Sequence, residues 1–181
     1  MGVLCGDVLQ AADGGGVNNM VSCVFPGSFD PVTKGHLNLI ERVSALFDHV
    51  TVTVMVNISK KSSISTENRV ELLRKACSPY PNVSVDSWDG LLADYMRIRN
   101  EKIIIRGIRG TEELSGEMNA FAASRMLNPG IETLFIPCDS SLSGISSSAV
   151  REIASFGGDI SAFVPDALTE EITRLLSKKK K

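Results

Sequence analysis

The chain has 181 residues, 43% of them hydrophobic and 22% charged, proportions that suit one soluble globular domain with a sizeable core. Its 19 basic and 21 acidic side chains leave a formal charge of −2, which argues against whole-surface attraction to nucleic acid or anionic lipid and requires any anion site to be built locally. No apolar run approaches the roughly 20 residues of a membrane-spanning helix, so the expectation is a soluble, cytoplasmic protein with no nucleic-acid and no membrane partner; a small, phosphate-bearing ligand is compatible with the charge balance.

Residues 1–20 include Ala11-Ala12-Asp13-Gly14-Gly15-Gly16 and carry Asp7 and Asp13, without the basic and apolar regions of a signal peptide. They read as a loose N-terminal extension. Cys5, Cys23, Cys77 and Cys138 are scattered, with no C-x-x-C pair, so reduced thiols are expected and a structural zinc is not.

From Val21 onward, short β-branched runs at 21–25, 50–56, 83–86, 102–105 and 131–136 predict five strands. Between them lie helical patterns. The first shows Leu37, Ile40, Val43, Ala45 and Phe47 on one face with Glu41 and Arg42 opposite. Thr66-Glu67 starts the second, and 91–98, 112–127, 147–155 and 167–177 supply four more. Strands apolar on both faces, each followed by a helix, imply an α/β fold with a parallel sheet wound on both sides. The domain therefore spans 21–177, and residues 178–181, all lysine, read as a solvated tail.

In open α/β sheets, ligands bind beyond the carboxyl ends of the strands. Here those positions are polar. Pro26-Gly27-Ser28-Phe29-Asp30 follows the first strand, Asn57-Ile58-Ser59-Lys60-Lys61 the second, Arg106-Gly107-Ile108-Arg109-Gly110 the fourth, and the serine-rich stretch 140–148 the fifth. Gly27 permits close backbone approach, and Gly35-His36 opens a helix whose free N–H groups favour an anion. Alone, Gly-Ser-Phe-Asp-Pro is a tight turn and His36 a satisfied histidine; together at a strand end they point to a phosphate seat. Arg106 and Arg109 would bring guanidinium forks to the same edge, while Ser146 would cap the next helix. Walker, dinucleotide, H-E-x-x-H and G-x-S-x-G patterns are absent from the sequence.

The segments "PGSFDPVTKGH", "SKK", "RGIRG", "GEM" and "ISSSAVRE", in this order, resemble the bacterial-type phosphopantetheine adenylyltransferases of the nucleotidyltransferase superfamily. The T-x-G-H form at 33–36 is informative, since many relatives in the superfamily have H-x-G-H there. The resemblance implies a Rossmann-like, single-domain fold that transfers the adenylyl group of ATP to 4′-phosphopantetheine, with Mg2+, giving dephospho-coenzyme A and pyrophosphate. It also implies a homohexamer.

Carried over by motif, Ser28 and His36 contact the phosphates, with His36 stabilising the transition state, and Phe29 belongs to the ATP-binding turn. Lys60 and Arg106 bind the acceptor phosphate and the reacting centre, so the catalytic set is Ser28, His36, Lys60 and Arg106. Gly107, Ile108, Arg109 and Glu117, with Leu142, Ser143, Gly144, Ile145, Ser146, Ser147 and Ser148, form the rest of the ATP site. Leu92 lies against the pantetheine arm, and no residue is assigned as a metal ligand. Gly116 stands where the family usually has a large residue and Ser124 where it has asparagine, so acceptor contacts are expected to differ. Other acceptors, or a non-catalytic nucleotide-binding module, are the competing readings of the same residues.

Overall fold

The computed structural model describes residues 20–56 and 62–177. Five strands, β1 (Ser22–Gly27), β2 (His49–Met55), β3 (Val83–Trp88), β4 (Ile103–Ile108) and β5 (Glu132–Pro137), form one parallel sheet in the order β3-β2-β1-β4-β5. Six helices accompany them: α1 (Lys34–Ser44), α2 (Thr66–Cys77), α3 (Leu92–Ile98), α4 (Thr111–Leu127), α5 (Ser147–Ser155) and α6 (Thr169–Ser177). Short 3-10 turns at Ser140–Leu142 and Asp166–Leu168 precede α5 and α6. This is the expected doubly wound α/β architecture. No helix among the described residues is long and apolar enough to cross a membrane.

Alternation along the strands sorts the core into two layers, because successive side chains point to opposite faces. Cys23, Phe25, Val50, Val52, Val54 and Ile105 pack with Leu39, Ile40 and Val43 of α1, Leu72 and Leu73 of α2, Val150 of α5 and Ile172 of α6. Val24 and Ile104 face the other way, onto Tyr95 and Met96 of α3. Thr53 also faces α3, and its hydroxyl donates to the Tyr95 hydroxyl at 3.2 Å, which satisfies a fully buried polar group.

The strand order reverses direction at β1 and β4, the place where such sheets open a crevice. The ladder is thinnest there. Val24↔Ile104 is the pairing between those strands, whereas β1–β2 and β4–β5 each pair over six residues. Pro26 has no N–H to give to a neighbour, and the Arg106 guanidinium reaches across instead, donating from Nη1 to the Pro26 carbonyl at 3.1 Å.

The strands run further than their apolar cores predict. Pro26 and Gly27 belong to β1, and Arg106, Gly107 and Ile108 belong to β4, where they had been expected in loops. Backbone pairing carries them: Gly107↔Ile136 and Ile108↔Pro137 continue the β4–β5 register, and the Cys138 N–H closes onto the Ile108 carbonyl at 2.8 Å. Helix α6 begins two residues later than expected, at Thr169, because the tighter 3-10 turn takes Ala167 and Leu168.

Candidate active site

The segment joining β1 to α1 turns back on itself at Phe29, whose φ of 45° lies in the left-handed region. For a bulky residue that geometry costs about 1–3 kcal/mol and persists only where its surroundings dictate it. Here they do. The Phe29 ring is buried, edge-on to Phe25 at 5.6 Å and to His36 at 5.0 Å between centroids. Gly27 leaves room for it, since a Cβ at that position would stand 2.9 Å from two ring carbons. Asp30 is buried as well, and its carboxylate accepts the Ser63 N–H at 2.7 Å and the Ile64 N–H at 2.8 Å, fastening the turn to the chain entering α2.

Thr33 caps α1, and His36 stands at N3 of a reciprocal capping box, the place usually held by Glu or Gln. His36 Nδ1 accepts the Thr33 N–H at 3.1 Å and lies 3.0 Å from the Thr33 hydroxyl, while the His36 N–H donates to that hydroxyl at 3.4 Å. An acceptor Nδ1 leaves the proton of the neutral ring on Nε2. Burial first, and the Arg109 charge second, push the His36 pKa down to about 4. At neutral pH the ring is therefore an uncharged donor.

Both strand-end arginines are held by carboxylates of α4. Arg106 Nε and Nη2 form a fork on Glu117, at 2.5 and 2.7 Å, and with Nη1 on Pro26 this fixes the guanidinium plane. Arg109 pairs through Nη2 with Glu113, whose other oxygen accepts the Arg109 N–H at 3.0 Å. The Arg109 side chain is the main cause of the lowered Glu113 pKa. Arg109 Nη1 also donates to the Ile145 carbonyl at 3.1 Å, tying β4 to the loop before α5.

Helix α5 closes the far side. Ser146 is its cap and accepts the Ala149 N–H at 3.1 Å, as the sequence predicts. The Ser147 hydroxyl donates to the Pro31 carbonyl at 2.7 Å, and Arg151 donates from Nη1 to the Asp30 carbonyl at 2.5 Å and from Nη2 to the Ser148 hydroxyl at 3.0 Å. The first turn of α5 is thus pinned against the β1–α1 turn, with its positive dipole end at the cleft.

These elements enclose one cleft of about 900 Å³. Of the residues expected at the site, Ser28, Phe29, His36, Arg106, Gly107, Arg109, Glu117, Leu142, Ile145, Ser146, Ser147 and Ser148 line it. Ile108 and Ser143 line a smaller recess of about 360 Å³ that shares Arg109, Cys138 and no catalytic candidate with the cleft besides. Gly144 lines neither, and Leu92 packs at the start of α3 beside the second core layer. Lys60 lies outside the described residues. The sequence reading missed Arg69, Glu113 and Arg151 as lining residues. Arg151 could have been found, since its i,i+3 spacing from Ser148 puts both on one face of α5; "ENRVELL" around Arg69 looks like any amphipathic helix.

Residues 24–153 match the model of the cytidylyltransferase-like family. A phosphopantetheine adenylyltransferase of Finegoldia magna is 42% identical over 161 residues, covering 89% of this chain and 99% of that protein. One of Dictyoglomus thermophilum is 44% identical over 153 residues, covering 84% and 93%. Among solved structures, a Plasmodium falciparum nicotinic acid mononucleotide adenylyltransferase complexed with NaAD superposes with a TM-score of 0.61 at 14% identity, over 86% of this chain and 95% of that one. At that identity the superposition speaks for the fold alone.

Proposed function

The chain belongs to the cytidylyltransferase-like family and, within it, to the phosphopantetheine adenylyltransferases, and from that premise we propose how its cleft carries out the transfer. The enzyme transfers the adenylyl group of ATP to 4′-phosphopantetheine, a step of coenzyme A biosynthesis. A phosphate oxygen of the acceptor forms a bond to the α-phosphorus as the bond to the β-phosphate oxygen breaks, and pyrophosphate leaves. The nucleophile is already ionised, so positioning and charge stabilisation suffice.

The observation that carries the residue assignment is the locked His36 tautomer, a neutral Nε2–H donor in the same cleft as two arginine forks and the start of α5. We assign His36 to an α-phosphate oxygen, where charge shifts during displacement, and Ser28 to the same phosphates. Arg106 and Lys60 receive the acceptor phosphate. Arg109, Glu117 and residues 142–148 hold ATP. Leu92 contacts the pantetheine arm in this reading.

Magnesium enters as the counter-ion of ATP. Among the described residues no three His, Cys, Asp or Glu side chains converge on a metal position. Asp30, Glu113 and Glu117 are engaged by backbone N–H groups or arginines. The described side chains do not form a cage, and an ion of this kind is ordinarily held by substrate phosphates and water.

A homohexamer, as in the family the sequence resembles, is supported by α4. None of its 17 residues is buried, and Leu114, Met118, Met126 and Leu127 stand exposed along it. A helix that leaves this many apolar side chains uncovered fits contact with a second copy, and light scattering tests it. A cytoplasmic location accords with Cys23 and Cys77, buried free thiols whose pKa values burial raises to about 12 and about 11. Pyrophosphate release by the purified protein with ATP, magnesium and 4′-phosphopantetheine tests the whole reading. Release with a different acceptor, or none, overturns it.

A further inference from the structure

Arg69 of α2 is a buried cation that the mechanism above does not use. It is 3% exposed and lines the cleft. Its Nη1 donates to the Ser28 carbonyl at 2.6 Å and its Nη2 to the Thr66 hydroxyl at 3.0 Å, while its Nε is buried with no hydrogen-bond partner. Among the described residues it makes no ion pair. Burial accordingly lowers its pKa, against the partial compensation of the Asp30 and Glu67 charges. Removing a guanidinium from water without a carboxylate partner is costly, and an orphaned buried donor calls for an explanation beyond packing.

The explanation lies in what the fork grips. The Ser28 carbonyl belongs to the peptide that leads into Phe29, the residue held at a φ of 45°. The Phe29 ring in turn stands edge-on to the His36 imidazole, 5.0 Å between centroids. Thr66 is the first residue of α2, so the fork has one tine on the rigid helix start and the other on the turn. A lysine could supply the charge but not two donors in one fixed plane.

We propose that Arg69 is a positioning residue for adenylyl transfer: anchored by Thr66, it fixes the Ser28–Phe29 peptide and, through the Phe29 ring, the orientation of His36. The inference rests on the adenylyltransferase reading, but one of its tests does not need turnover. Misplacing a reacting group by about 1 Å can cost about a hundredfold, and loosening the turn without removing it should cost less.

The experiment compares wild type, R69K, T66V, H36A and the doubles R69K/H36A and T66V/H36A, by pyrophosphate release with 4′-phosphopantetheine and by proton NMR of the His36 ring at pH 8. The chain has two histidines, so the resonance is assigned by its loss in H36A. R69K is expected to lower kcat about tenfold with the KM for ATP changed less than about threefold, and T66V to lower kcat about threefold. Both should shift the His36 ring resonance, because the Phe29 ring current falls on it. In the H36A background each should cost less than about twofold, the signature of acting through His36.

A wild-type His36 resonance in both variants, kcat within twofold of wild type, or equal fold-losses in both backgrounds would overturn the proposal. If R69K does not fold, T66V carries the same cycle with the arginine in place, and a T66V protein with unchanged kcat and an unchanged His36 resonance refutes it. Should the wild type fail to adenylylate 4′-phosphopantetheine, the function reading falls. The NMR shifts then decide on Arg69 alone.

Discussion

Thr33 and His36 hold each other: the backbone N–H of Thr33 donates to Nδ1 of His36 at 3.1 Å, and the His36 N–H returns to the Thr33 hydroxyl at 3.4 Å. The contact that begins α1 therefore also decides which ring nitrogen carries the proton. Secondary structure and chemistry share one pair of residues.

The first prediction follows from that tautomer. A preorganised donor aimed at charge that develops in the transition state contributes about 2.7–4 kcal/mol, or about a hundred- to a thousandfold in kcat. His36→Ala should lower kcat by that order while the KM for ATP changes much less. A folded variant with near-wild-type kcat would remove His36 from the mechanism.

The second concerns pH. The folded pKa of His36, about 4, lies below the ordinary histidine value of 6.5, so between those values the unfolded chain binds a proton that the folded chain does not. Protonation then favours unfolding: the His36 contribution is fully present above about pH 7, declines as pH falls through 6.5, and is exhausted near pH 4. Over the full window the loss is about 3 kcal/mol. Urea unfolding at a series of pH values should show this decline, and His36→Gln should flatten it. Parallel curves for the two proteins would contradict the assigned burial.

Much of this was legible in the sequence. Five β-branched runs separated by 3.6-period patterns predict the parallel sheet, and the polar residues after strands one, four and five meet at one cleft because a doubly wound sheet puts all its carboxyl ends on one side. The exact strand ends were not legible, since Pro26-Gly27 and Arg106-Gly107-Ile108 are kept extended by neighbours far along the chain. Nor was the state of the charges. Nothing in "RGIRG" tells that each arginine is claimed by a carboxylate of α4, or that Arg69, three residues into an unremarkable helix, grips a carbonyl of the first motif. Long-range hydrogen bonds of this kind leave no periodic trace.

Gly107 yields the third prediction. A Cβ there would overlap Leu39 Cδ1 and come within 3.6 Å of Cys138 Sγ, and Leu39 is buried in the larger core layer. Gly107→Ala should cost about 1–3 kcal/mol by overpacking. Thermal or denaturant unfolding measures it, and an unchanged midpoint would mean that Leu39 moves aside freely.

The fourth takes the opposite sign. Gly116 sits inside α4 with nothing within 4 Å of the place a Cβ would occupy. Gly116→Ala should therefore stabilise the protein by about 0.5–1 kcal/mol, through the lower backbone entropy of the unfolded chain. A lower unfolding midpoint would refute it.

The last prediction separates charge from geometry at Arg106. Its three donors are oriented by Glu117 and by the Pro26 carbonyl, which together hold the guanidinium plane across the gap between β1 and β4. If the acceptor phosphate approaches that plane, Arg106→Lys keeps the positive charge and loses the fork, and charge-assisted contacts of about 1.5–3 kcal/mol are at stake. The KM for 4′-phosphopantetheine should rise by about tenfold or more, with a smaller change in the KM for ATP. Glu117 acts here as the group that orients the arginine, so the same substitution made in a Glu117→Gln background should cost less than it does in the wild type. Measuring both constants in all four proteins decides the matter: an unchanged acceptor KM in folded Arg106→Lys would leave only the charge at work, and strictly additive effects would show that Glu117 does not orient Arg106 for the acceptor.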